Sequence, residues 1–301
     1  MIEIRRAETD ADLEAWRRVR IEVLPNERAA SVEELRRGAG PEQLMLLAEL
    51  DGEIAGAGIA DRSSLAGQGS LSPRVLPAAR RRGVGKALLR ELAAHVESLG
   101  FDRAGSMVDD SGSLAFAERF GFREVDRDVE QVREIGDEER PEVPAGIEIV
   151  SVAQRPELST RIYHELAHQA LEDFALDRPL EVSLEDWERE WLSWPEGSFV
   201  ALADGEIVGC AGVLKDGDRR DRAENSLTAV RRDRRRRGLA TALKRMTIAW
   251  AAENGVRELY TWTQRGNEAM RSVNEKLGYV TRSVAIRVRG RLPLPQEGTD
   301  G

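Results

Sequence analysis

The stretch VRRDRRRRGLATALKRM, from Val230 to Met246, constrains this chain more than any other. It leaves an apolar segment (Leu227, Ala229, Val230), passes a knot of arginines, turns at Gly238 and enters a run of strong helix formers. Within it Arg235, Gly238 and Ala240 spell R-x-x-G-x-A. A glycine turn that opens a helix points several unpaired N–H groups the same way, and the helix dipole adds positive potential there. That geometry holds phosphate or pyrophosphate. The same order stands earlier in the chain: Val75 ends an apolar segment, Arg80, Gly83 and Gly85 spell R-x-x-G-x-G, and Lys86 leads into a helix of Ala and Leu. One such motif in an arginine-rich chain carries little weight. Two copies in matching context indicate a repeated unit.

The repeat extends beyond the turn. Asp51-Gly52-Glu53-Ile54 and Asp204-Gly205-Glu206-Ile207 each join two apolar runs as a hairpin. Gly121-Phe122 and Gly278-Tyr279 each follow a helical stretch about forty residues after the glycine turn. Ile2 and Ile147 begin alternating strands, and each is followed by helical stretches: Leu13, Trp16 and Val19 recur at helical spacing in the first half, and Glu157–174 is helical in the second. Ser31 with Glu34 forms a capping box, and Ser183 with Asp186 opens the helix carrying Trp187, Trp191 and Trp194. Pro73 interrupts the strand that ends at Val75. The charged, Pro- and Gly-rich segment 136–146 reads as a linker. The expected organisation is therefore a first domain over 1–135, the linker, a second domain over 147–292 and a flexible tail over 293–301. A duplicated domain of about 150 residues fits, and a solenoid of much shorter repeats does not.

Composition excludes several classes of function. A net charge of −9 argues against general nucleic-acid binding, which requires a basic surface. The arginine run is short within an acidic chain, so solvation or contact with a ligand phosphate accounts for it better than DNA. No apolar run reaches about 18 residues and the first residues do not form a signal peptide, so no membrane association is expected. Cys210 is the only cysteine, which permits no internal disulfide and fits a cytoplasmic protein. His164-Glu165-x-x-His168 matches a zinc-hydrolase motif, but no third ligand motif follows, and the apolar spacing of Ile162, Leu166 and Ala170 explains the segment as an amphipathic helix. No metal is expected.

The paired turns, the valine-ended strand before each and the Gly-aromatic pair after each resemble the GNAT acetyltransferase superfamily. The resemblance covers essentially the whole chain as two tandem domains, a type that includes mycothiol synthase. It implies an α/β (α+β) fold in which each domain is a mixed, mostly antiparallel sheet with flanking helices, and in which strands four and five splay apart around acetyl-CoA. Pantetheine would then meet Ala229 and Val230, and Arg235, Arg236, Arg237, Gly238, Leu239, Ala240 and Thr241 would cradle pyrophosphate. In the first half Val75, Arg80, Arg81, Arg82, Gly83, Val84, Gly85 and Lys86 correspond. Asn267 matches the asparagine that often begins the next helix beside the cofactor, with helix capping as its other reading. Asp110 holds its place in the first half.

Glu224, six residues before Val230, stands at the spacing of the general base in one branch of the superfamily. On a regular strand it shares a face with Ser226 and Thr228, and it would act directly or through water. The first half has Gly69 at that count. The family's acidic tyrosine is replaced by Asn274 and Ala117, leaving Asn274 as the group to hydrogen-bond sulfur or substrate. The tryptophans fit either a core stripe or an acceptor pocket, with Trp262 a second pocket wall and Glu188 and Glu190 suited to a cationic amine. The expected reaction is acetyl transfer from acetyl-CoA to an amine of a small molecule by direct attack in a ternary complex, catalysed in the second domain of a monomer or homodimer. The competing readings are a non-catalytic CoA-binding or sensing protein and, more remotely, a zinc hydrolase.

Overall fold

The computed structural model describes residues 1–174, 178–217 and 219–295, except for the side chains of Arg189 and Glu190. Glu190 as a pocket acid and residues 296–301 of the expected tail therefore lie outside the described residues. The chain runs β1 (Ile2–Arg6), α1 (Asp10–Val23), α2 (Val32–Gly38), β2 (Leu44–Leu50), β3 (Glu53–Arg62), β4 (Gly69–Val75), α3 (Val84–Ser98), β5 (Arg103–Val108), α4 (Ser111–Arg119) and β6 (Arg123–Glu134). It then repeats as β7 (Glu148–Ser151), α5 (Glu157–Ile162), α6 (His168–Glu172), α7 (Leu184–Trp191), β8 (Phe199–Ala203), β9 (Glu206–Asp216), β10 (Arg219–Val230), α8 (Leu239–Glu253), β11 (Glu258–Gln264), α9 (Glu268–Lys276) and β12 (Val280–Arg291). A π-helical turn, Tyr163–Ala167, joins α5 to α6.

Local chemistry sets these elements. Asp51 and Gly52 both adopt positive φ (56° and 89°), as do Asp204 and Gly205 (51° and 80°), the backbone a two-residue hairpin turn requires. Thr9 with Asp12 and Ser31 with Glu34 close reciprocal capping boxes on α1 and α2. Pro73 does not break β4, which pairs with β3 through it. Proline offers no N–H to the opposite Gly58, and the Trp16 indole Nε1 donates to the Gly58 carbonyl instead at 2.9 Å. α3 buries Val84, Leu88, Leu89, Leu92 and Val96 in one core, while Leu13, Trp16 and Val19 of α1 pack on the other face of the sheet. Each such side chain contributes about 1.5–3 kcal/mol relative to exposure. The second half repeats the arrangement, with α8 on one face and α5 to α7 on the other.

The chain forms two compact units, one of Met1–Arg127 with the segment from Ala285, the other of Asp128–Val284. In the first the strand order is β1-β2-β3-β4-β5-β12, and in the second β7-β8-β9-β10-β11-β6. This division differs from the linear one at 135 and 147. Residues 286–291 of β12 complete the ladder on β5, and residues 128–134 of β6 complete the ladder on β11. The two closing strands are exchanged between halves because hydrogen-bond pairing, not sequence adjacency, assigns a strand to its sheet. Among the described residues no helix is long and apolar enough to cross a membrane. Cys210 is buried in β9, where desolvation pushes its thiol up to about 12.

Candidate active site

Each unit contains one parallel strand pair that stops short. β10 and β11 pair only from Arg222–Glu258 to Glu224–Tyr260, and β4 and β5 only at Gly69–Ala104 and Ser70–Gly105. Beyond these rungs the strands diverge. In the second unit this opens a cleft of about 460 Å³, walled by Asn225–Val230 of β10, Thr261–Gln264 of β11 and the turn before α8. In the first unit a cleft of about 470 Å³ lies between Leu71–Val75 and Ser106–Val108.

The turn at each mouth has the same backbone. Arg236 and Gly238 lie at φ 60° and 78°, and Arg81 and Gly83 at 62° and 90°. Gly238 and Gly83 cap α8 and α3 without any side-chain hydrogen bond, so the first-turn N–H groups face the cleft mouth uncapped. A Cβ on Gly238 would meet nothing within 4 Å. Gly238→Ala therefore carries only the left-handed backbone penalty, expected at about 1 kcal/mol. A fall of about 2–4 °C in Tm would register it.

The arginine run is largely engaged within the fold. Arg231 pairs with Asp233 and Glu206, and Arg232 with Glu172 and Asp173. Arg235 does not face the cleft with an open guanidinium. It pairs with Asp173, and its Nε donates to the Val230 carbonyl at 3.0 Å. Gln169 Nε2 donates to the same carbonyl at 3.3 Å, so the carbonyl of Val230, a residue expected to meet pantetheine, already has two donors. Arg80 donates to the Val75 carbonyl in the same way at 3.4 Å, and Arg82 pairs with Asp51. Arg236 and Arg237 are exposed and pair with no acid among the described residues.

β10 carries a bulge that the sequence pattern does not announce. Glu224 pairs with Leu214 and Leu227 with Gly212, three residues opposite two. Ala223 packs under α8, so Glu224 turns to the opposite face, toward α7. At the bulge Ser226 Oγ donates to the Trp191 carbonyl of α7 at 2.7 Å, whereas Asn225 Oδ1 accepts from Lys244 of α8. Thr228 lies opposite Ala211, on the α8 face. Glu224 and Ser226 thus share a face that Thr228 does not, because the extra residue reverses the alternation. Half-buried Glu224 occupies the last rung before the cleft. β4 pairs residue for residue with β3 from Gly69 to Val75, so the rung matching Glu224 is Ser70, not Gly69.

Asn274 is not brought to the cleft. It is fully buried, and its Nδ2 donates to Gln131 Oε1 of β6 at 2.9 Å. Asn267 lines the cleft while capping α9, its Oδ1 accepting from the Met270 N–H at 3.2 Å. Trp187 is buried and stacks on Trp191 at 5.7 Å, and Trp194 packs edge-on against Trp250 at 4.9 Å, both core contacts. Trp191 also meets Phe174, whose ring lines the cleft together with Trp262. Glu188 lies within 3.4 Å of the Ser159 and Thr160 hydroxyls, on α5. His164 and His168 are exposed, Glu165 pairs with Arg161, and among the described residues no three metal-ligating groups converge.

One cleft residue carries no motif in the sequence. Lys244, in the middle of α8, is 2% exposed, lines the cleft and places its ammonium 5.2 Å from the centre of the Tyr279 ring. Desolvation brings its pKa down to about 7. Its sequence signal is weak: a lysine six residues after Gly238, where the first half has Leu89.

Comparison with known proteins places this geometry. The acetyltransferase (GNAT) family matches residues 4–122 and 160–279. A curated relative, N-alpha-acetyltransferase 30 of Schizosaccharomyces pombe, is 32% identical over 88 residues, which are 29% of this chain and 59% of that protein. The fold matches a GCN5-related N-acetyltransferase from Sphaerobacter thermophilus, with a TM-score of 0.75 and 22% identity over 96% of this chain and 95% of that one. It also matches a tandem GNAT protein from the clavulanic acid biosynthesis pathway, with a TM-score of 0.77 and 19% identity over 99% and 100% of the two chains. With both halves matched and both splayed strand pairs in place, the chain belongs to the GNAT acetyltransferase family, in its tandem form.

Proposed function

We propose that the second unit transfers an acetyl group from acetyl-CoA to an amine of a small molecule, by direct attack in a ternary complex. The observation that carries this reading is the coincidence of three features at one cleft: a strand pair that ends at Glu224, an uncapped helix N-terminus at Gly238, and two exposed arginines beside it. The residues present suit the cosubstrate. The N–H groups of Gly238 to Thr241 and the guanidiniums of Arg236 and Arg237 match a pyrophosphate. Thr228 and Thr263 line the cleft with buried hydroxyls that lack partners among the described residues, and the amides of an extended pantetheine arm would satisfy them.

Acetyl-CoA supplies the activated thioester. The chain's own part is to hold it and to manage protons. Glu224, turned toward α7, takes the proton that the acceptor nitrogen sheds as it attacks. Trp262 and Phe174 provide apolar walls for the acceptor. The first unit has the same turn but Ser70 at the matching rung, which supports CoA binding there without chemistry.

A second reading, CoA sensing without turnover, draws support from Asn274, which lies buried away from the cleft and leaves the family's acidic position unfilled. Calorimetric titration with acetyl-CoA, followed by thiol release against a panel of small amines, separates the two. The expected result is binding together with turnover of at least one amine. Binding with no turnover transfers the case to the sensor, and no binding removes both.

A further inference from the structure

We propose that Lys244 is the proton donor to the sulfur that departs in the second unit's cleft. The inference rests on the acetyl-CoA reading above and deepens it. A buried lysine is costly and needs a reason. Lys244 is 2% exposed, and among the described residues its ammonium donates one hydrogen bond, to Asn225 Oδ1, although an ammonium carries three donors. Asn225 is held there by the bulge: its Nδ2 donates to the Gly212 carbonyl at 2.9 Å, and its own carbonyl accepts from Thr261 Oγ1 at 2.8 Å. The amide that aims the ammonium thus spans the point where β10 and β11 part. Lys244, Asn225 and Thr261 all line the cleft.

The first unit supplies the internal comparison. Leu89 follows Gly83 by six residues, as Lys244 follows Gly238, and Leu89 also lines its cleft. The matching position of the first unit is thus filled by an apolar side chain. The amine, the bulge that holds it and the carboxylate at the last rung occur together in the second unit, whereas the matching positions of the first carry Leu89, an unbulged ladder and Ser70. A lysine desolvated to about 7 can give up its proton near neutrality, and a thiol at about 8.5 readily receives it. Among the described residues the Tyr279 phenol also faces it, and burial raises that group further out of range. Asp173, Arg234, Arg235 and Arg236 line the same cleft, and Glu224 stands on the other face of β10.

The step balances. The acyl carbon gains a bond to the acceptor nitrogen and loses its bond to sulfur, which keeps the electron pair and takes a proton from the Lys244 ammonium. The nitrogen's proton leaves through Glu224, and the neutral Lys244 amine recovers one from water.

The test needs no acceptor. CoA with its free thiol is bound to the full chain, and thiolate absorbance is followed against pH in wild type and in Lys244→Leu, the side chain that the first unit carries. In wild type, part of the bound thiol is expected to ionise with a pKa lowered by about one unit, a tenfold gain in thiolate at a given pH. Lys244→Leu is expected to abolish that component while calorimetry still shows CoA bound. Should the variant not fold, the Lys244 amine is titrated in wild type by pH-dependent labelling, with CoA against an analogue lacking the sulfur. Only CoA is expected to raise the amine's pKa. Identical thiol titrations in wild type and Lys244→Leu overturn the proposal, as does an unchanged amine titration or stable acetylation of Lys244 by acetyl-CoA. Failure of CoA to bind at all shows in the calorimetry and removes the underlying acetyl-CoA reading instead.

Discussion

Exchanging Glu224 for glutamine is expected to lower kcat for thiol release about a hundredfold, with KM for acetyl-CoA changed by no more than about twofold. Glutamine keeps the size of the side chain and its place at the last β10–β11 rung but cannot accept a proton. The loss should therefore fall on the chemical step and not on binding of the cosubstrate, which rests on the Gly238 turn. The geometry makes the residue specific: the bulge after Glu224 fixes which face its carboxylate takes, and on that face Ser226 binds the end of α7 through the Trp191 carbonyl. Steady-state kinetics with the best amine of the panel gives the measurement. A kcat within about threefold of wild type would mean that solvent takes the proton, and that Glu224 is only the half-buried end of a ladder.

The loops and the duplication were legible in the sequence because their determinants are local. Gly83 and Gly238 are read from spacing alone as turns that open helices, and both adopt the left-handed backbone that favours glycine. What was not legible depends on partners distant in sequence. β6 and β12 have the alternation of ordinary closing strands, and nothing in that pattern says which sheet each will close. The segment Glu224-Asn225-Ser226 is polar at every position, so periodicity could not reveal where the extra residue sits, and counting back from Val75 by the same interval selected Gly69 when the ladder selects Ser70. Lys244 reads in sequence as one cation in an otherwise ordinary helix. Only the packing of α8 against the bulge and Tyr279 shows that it is buried. Asn274 is the complementary case: a count along the chain selects it for the family position, whereas its buried side chain donates to Gln131, more than a hundred residues away.

A charge network lies at the base of the splay, and its removal carries the largest stability effect expected for this chain. Arg222 is 1% exposed and donates from Nε to Glu258 at 2.6 Å and from Nη1 to Asp216 at 2.9 Å, with its guanidinium 3.9 Å from the centre of the Tyr260 ring. Nη2 lies 3.6 Å from Glu130, which Arg282 and Ser283 also bind. Arg222→Ala leaves Asp216 and Glu130 buried with less compensation, and a loss of about 3–5 kcal/mol is expected in denaturant unfolding of the second unit. The cause can be separated from lost packing by neutralising the acids as well. Arg222→Met with Asp216→Asn and Glu130→Gln should recover most of the loss, since a neutral, well-filled site of this kind costs little. Acid acts on the same network. Burial alone would raise the Glu258 carboxyl, but Arg282 and Arg222 outweigh that and hold it below its ordinary value. Its contribution is therefore complete above about pH 4.5 and is lost as pH falls through the lower folded value. Because Arg222 forms the first β10–β11 rung and Glu224 the last, a variant that loosens the network should also let the two strands part earlier. Turnover would then fall more than the population of folded protein does. Loss of activity that merely tracks unfolding would confine Arg222 to stability and leave the start of the splay to the backbone ladder alone.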